Sequence, residues 1–302
     1  MVKHYYYLDG SCPENFDVVF KRAQVFAARA LERLNDLEDV EFAHFFELIF
    51  KTTTTDVQPM MRSPNFEPSP DLDREIELRP RPVAAHVRRD LYDLANNWNR
   101  TNSRAHAQVR IHFADIDRYQ QQTEQMYFDP INFLIFFADS KADFDRLVNN
   151  STALITHERP VELRLTPDNY QHPQRSVVDF TQMAKNLQIS WEEWEAQDLA
   201  GVHINEVAGD LIEITLIHEI LHCNAYRLAD FPDENDATCG WSMLMGLTKE
   251  QSYLCAESIA MLSLAAGLAD LKPVHLPEGH GYTISRQGEV TVYSDLSEWT
   301  VV

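Results

Sequence analysis

His218-Glu219-Ile220-Leu221-His222 sets two histidines four residues apart, with a glutamate directly after the first. On an α-helix this spacing puts both imidazoles on one face, where they can grip a single metal ion, and Glu219 then lies beside any water the ion holds. The residues leading in, Asp210-Leu211-Ile212-Glu213-Ile214-Thr215-Leu216-Ile217, contain neither Gly nor Pro, and apolar side chains recur at Leu211, Ile214, Ile217 and Leu221. The pattern predicts a largely buried helix. Two histidines and a glutamate are costly to bury unless something such as a cation uses them, which favours a metal site over a chance match on a core helix.

Composition narrows the possibilities. The chain has 302 residues, 44 % of them hydrophobic, enough to bury a sizeable core. Its formal net charge of −21 opposes binding to phosphate backbones and anionic membrane surfaces, so neither nucleic acid nor membrane is an expected partner. The acidity serves solubility, with attraction of a basic substrate as the alternative. No stretch has the apolar length of a membrane span, and the first residues, Met1 to Tyr7, lack a signal-peptide core. The expectation is a secreted protein whose leader has been removed, or alternatively a cytoplasmic one. Cys12, Cys223, Cys239 and Cys255 contain no CxxC pair, and at four per chain they do not make disulfides a requirement. Asn99-Arg100-Thr101 and the overlapping Asn149-Asn150-Ser151-Thr152 are glycosylation sequons, meaningful only on the secretory route.

Along the chain, residues 16–37 carry a helical stripe from Val19 and Phe20 through Leu34, and residues 40–50 predict a second helix rich in Phe. Residues 52–82, with a Thr run and several prolines, read as a long surface connection. Residues 83–98 look helical, 108–113 alternate like a half-buried strand, and 131–137 and 161–165 are further strand candidates. After the motif come an acidic turn from Asp230 to Asp236 and a long helix from Thr248 to about Asp270, opened by a Thr-x-x-Gln start signal. Residues 282–292, broken at Gln287-Gly288, read as a β-hairpin.

Catalytic zinc usually keeps three protein ligands and one open position, so the residue downstream decides the class. A metzincin would continue HExxHxxGxxH, but Ala225 and Leu228 occupy the deciding positions. A gluzincin would use a Glu from a following helix, for which Glu257 is the candidate. An aspartate-ligated site would use the turn, for which Asp236 is the candidate.

The order His218 to His222, then Asp236-Ala237-Thr238-Cys239-Gly240, then Cys255-Ala256-Glu257-Ser258 resembles the aspzincins, the deuterolysin and peptidyl-lysine metallopeptidase group found largely in fungi. The likeness is specific over residues 210–265 and extends weakly to Tyr7-Leu8-Asp9-Gly10-Ser11-Cys12. It implies an α+β, mostly helical zincin-like fold with a small antiparallel sheet over residues 1–270, followed by a C-terminal extension over 271–302 that carries the hairpin. It further implies zinc held by His218, His222 and Asp236, and a substrate-binding place for Glu257. Three features depart from the group: the Gly-Gly-Thr before the aspartate is absent, the loop is longer, and Cys239 stands where the group has the tyrosine credited with stabilising the transition state.

The expected function is that of a zinc-dependent metalloendopeptidase acting as a monomer on a protein or peptide substrate. Glu219 serves as general base on a zinc-activated water. Two rivals stand beside it. One is a non-catalytic binding or effector protein that retains the zinc site, which the intact Glu219 disfavours and the missing tyrosine favours. The other is a zinc hydrolase acting on a non-peptide bond.

Overall fold

In a computed structural model the described residues are 3–36, 39–53, 57–58, 81–113, 118–130, 134–150, 153–157, 176–180, 196–223, 225–226, 228–231, 240–271, 276 and 280–294. The architecture is α+β. Contacts divide the chain into two units: Met1–Lys21, Asn97–Gln188 and Glu219–Arg227 form the first, and Arg22–Asn96, Ile189–His218 and Leu228–Val302 the second. The division runs through two continuous helices, α1 (Phe16–Asn35) and the motif helix.

The first unit is built on a five-stranded sheet of β1 (His4–Leu8), β4 (Trp98–Arg100), β5 (Val109–Phe113), β9 (Ala153–His157) and β10 (Ser176–Phe180), in the order β4-β1-β5-β10-β9. The anticipated small antiparallel sheet is a separate one, and this larger sheet is mixed. β1 runs parallel to both β4 and β5, β10 runs parallel to β5, and only the edge strand β9 is antiparallel to its neighbour. β5 was expected to be half-buried, yet every one of its residues is buried, Arg110 and His112 included. As a central strand among parallel neighbours it has both faces covered, and its polar side chains are met inside: the Arg118 guanidinium lies 2.7 Å from His112 Nδ1. Phe16 at the start of α1 packs with Phe113 and Phe180, and Tyr6 stacks on Phe20 at 3.6 Å between centroids. A separate antiparallel sheet of β6 (Gln120–Gln121), β7 (Met126–Asp129) and β8 (Leu134–Phe137) precedes α4 (Lys141–Asn150), and Tyr127 stacks on Phe144.

The second unit is helical. It contains the rest of α1, then α2 (Val40–Phe50) and α3 (Val83–Asn96), with β2 (Val57–Gln58) paired to β3 (Arg81–Pro82) between them. Most of the proposed connection at 52–82, and the strand candidate at 161–165, fall outside the described residues. α3 ends two residues sooner than its periodicity predicts. Trp98 instead opens β4, where its ring stacks on His4 and its indole N–H donates to the Tyr226 hydroxyl at 2.8 Å. Further along come α5 (Ile204–Asp210), α6 (Ile212–Leu221), α7 (Trp241–Gly246), α8 (Lys249–Ser252) and α9 (Ala256–Asp270).

The helix predicted from Thr248 to Asp270 is thus two helices. Thr248 and Gln251 form the expected capping box, but Tyr253 ends α8, and Cys255 takes up extended backbone to pair with Ala229. Every residue of α9 from Ala256 to Leu268 is buried, so this helix has no solvent face and forms the centre of the unit. α2 and strand β11 (His280–Ile284) lie against it. β11 and β12 (Val290–Ser294) make the predicted hairpin, whose turn holds Gly288 at φ +86°. No helix among the described residues is long and apolar enough to cross a membrane.

Candidate metal centre

The motif lies on α6 and the turn that ends it. Leu211, Ile214, Ile217 and Leu221 are all buried, as the spacing requires, and this stripe fixes which way the remaining positions point. A break at Leu211, where the backbone is extended, separates α6 from α5, so the motif helix is shorter than the uninterrupted run suggests. His218 and Glu219 lie within α6, while His222 follows its last residue in a turn whose N–H reaches back to the Glu219 carbonyl. Glu219 is only 8 % exposed.

Asp230 enters the site through a backbone device. The Ala229 N–H donates to the Leu254 carbonyl at 2.8 Å and the Ala256 N–H to the Ala229 carbonyl at 3.2 Å, a parallel bridge that pins the chain one residue before Asp230 to the start of α9. Asp230 Oδ1 then lies 3.4 Å from His218 Nε2. Potential ligand atoms of His218, His222 and Asp230 all fall within 4.8 Å of one another, drawn from one continuous stretch of chain. Two corners of a tetrahedron with bonds of about 2.0–2.2 Å stand about 3.3–3.6 Å apart, so the His218–Asp230 spacing suits zinc, and a donor set of two imidazoles and a carboxylate is one zinc takes. His218 is mostly buried, whereas the Asp230 side chain is 37 % exposed, which leaves the group a solvent-facing side.

The other ring nitrogen of His218 is also engaged. Nδ1 lies 2.8 Å from Glu257 Oε2, and the second oxygen of that carboxylate accepts the Gly240 N–H at 2.9 Å. Glu257, a substrate-binding candidate by resemblance, therefore has both oxygens turned to the protein. It sits in the first turn of α9, where the helix dipole favours negative charge. Gly240 has φ +96°, a conformation that suits glycine, and it precedes α7, whose first N–H, that of Trp241, is taken by Asn205. Burial pushes the neighbouring Cys255 thiol up to about 12, which keeps it protonated and leaves it an inert core group.

Asp236 and Cys239 lie outside the described residues. Of the two tyrosines nearest the motif in sequence, Tyr253 is buried in the core and Tyr226 accepts the Trp98 indole N–H. Sequence reasoning named the acidic turn but took Asp236, not Asp230, as its ligand candidate. The usable signal was its place eight residues after His222, close to the motif in sequence and just ahead of Pro232.

Comparison with known protein families, with curated proteins and with solved structures finds no match to this chain.

Proposed function

We propose that the chain is a zinc-dependent metalloendopeptidase of zincin-like fold, with zinc held by His218, His222 and an aspartate for which Asp230 is the nearest described candidate. The observation that carries the reading is that ligand atoms of His218, His222 and Asp230 fall within 4.8 Å of one another, with His218 and Asp230 3.4 Å apart, next to the buried Glu219. Zinc in such a site supplies Lewis acidity, which acidifies a water and polarises a carbonyl. The chain's own residues do the rest. Glu219, one residue from a ligand, takes a proton from the attacking water and delivers it to the leaving amine. Glu257 holds the His218 ring in place.

The substrate is a peptide or protein, and the enzyme acts as a monomer; the resemblance to secreted fungal peptidases extends the proposal to an extracellular setting. A non-catalytic binding protein with the same zinc site is the second reading, supported by Cys239 in the place of the group's tyrosine. One experiment addresses both. Zinc content is measured on protein purified without added metal, together with hydrolysis of casein with and without a chelator. The peptidase reading expects about one zinc per chain and chelator-sensitive cleavage. Zinc without cleavage would favour the binding protein, and no zinc even after dialysis against it would overturn both.

A further inference from the structure

We propose that Glu257 is a positioning residue that sets the tautomer of His218 and thereby makes Nε2 available to a metal; the inference rests on the metal reading above but has a readout independent of catalysis. A neutral imidazole carries one N–H and one lone pair. For Nε2 to offer its lone pair, the proton must reside on Nδ1. In the absence of metal two carboxylates compete for that proton from opposite sides of the ring. Glu257 Oε2 is 2.8 Å from Nδ1 and belongs to a side chain 9 % exposed, whereas Asp230 Oδ1 is 3.4 Å from Nε2 and belongs to a side chain 37 % exposed. The shorter and better shielded contact is the stronger one, so the proton stays on Nδ1.

The second oxygen of Glu257 makes this arrangement hard to imitate. It accepts the Gly240 N–H at 2.9 Å, so both oxygens must act as acceptors at once. An ionised carboxylate can do this; a primary amide, with one acceptor and one donor end, cannot. In Glu257→Gln the amide oxygen can stay on the Gly240 N–H, and its NH2 then faces His218 Nδ1. That contact requires Nδ1 to accept, which moves the ring proton to Nε2 and removes the lone pair a metal needs. The opposite orientation sets the NH2 against the Gly240 N–H, donor against donor. Glutamine is therefore nearly isosteric and yet the wrong residue.

The test compares wild type, Glu257→Gln, Glu257→Ala and a His218→Ala control by zinc affinity in chelator competition. Alongside it, ¹⁵N NMR reads the His218 tautomer in metal-free protein at a pH where the ring is neutral. Zinc binding should weaken by roughly 10–100-fold in Glu257→Ala, and by at least as much in Glu257→Gln. A role in packing alone would instead make the glutamine variant the milder of the two. The wild-type ring should be protonated on Nδ1, and the ring in Glu257→Gln on Nε2. Glu257→Gln binding zinc as wild type does, or a wild-type ring protonated on Nε2, overturns the proposal. Should wild type bind no zinc, the metal reading fails, and the wild-type tautomer still decides the role of Glu257 even if a variant does not fold.

Discussion

Glu219 and Asp230 occupy one short stretch of chain, yet replacing them should have separable effects. Glu219→Gln preserves shape but cannot take up a proton, so zinc content and fold should persist while peptide hydrolysis falls on the order of a hundredfold or more; turnover near wild type would remove Glu219 from the mechanism. Asp230→Ala, by contrast, should release zinc far more readily than Asp236→Ala, measured as metal retained after dialysis, because Asp230 Oδ1 lies 3.4 Å from His218 Nε2. The opposite ranking would hand the third position to Asp236. At this scale the motif itself was legible, since an i, i+4 pair of histidines with an adjacent glutamate is encoded locally. The residues that surround His218 were not. Glu257 lies 39 positions away in sequence, and only folding brings its carboxylate to Nδ1.

The elements repeat this division between local and distant information. α1, α2 and the β11–β12 hairpin were readable because each carries its own periodicity or turn residues. The break between α8 and α9 was not, because both flanks are apolar or good helix formers and the cause is a pairing with Ala229. β1 is another such case: its register depends on Trp98–Arg100 and Val109–Phe113. Its link to α1 is testable. The Tyr6 hydroxyl donates to Asp17 Oδ1 at 2.7 Å, and although burial works to raise the Asp17 pKa, Tyr6, Lys21 and Arg100 outweigh it and hold the carboxyl below the usual range. A depressed carboxyl stabilises the fold above its unfolded pKa, and that contribution is lost as pH falls through the lower folded value. Tyr6→Phe should thus cost about 1 kcal/mol at neutral pH, with the gap to wild type narrowing in strong acid, read by urea melts across pH. In the hairpin turn, a Cβ on Gly288 would lie 2.5 Å from Trp241 Cδ1 and 2.8 Å from His203 Nε2, at φ +86°. Gly288→Ala should therefore destabilise by about 2 kcal/mol or more in the same assay.

For the molecule as a whole, the metal should contribute to stability through linkage: free zinc at a hundred times its Kd adds about 2.7 kcal/mol. A chelator should accordingly lower Tm by several degrees in wild type and leave the His218→Ala variant unmoved; equal responses would mean that no site-bound metal supports the fold. Composition and element content pointed to an α+β protein, but not to a sheet with a single antiparallel edge strand. Strand direction follows from which segments meet across more than ninety residues, as Tyr6 and Val109 do, and local pattern carries no record of that. The Ala229–Cys255 bridge has one more consequence, for engineering. The bridge is made by backbone groups alone, the Ala229 N–H to the Leu254 carbonyl and the Ala256 N–H to the Ala229 carbonyl. A side chain of similar size at 229 therefore leaves the mooring of Asp230 intact, whereas proline at 229 or 256 removes one of its two N–H donors and sets Asp230 loose.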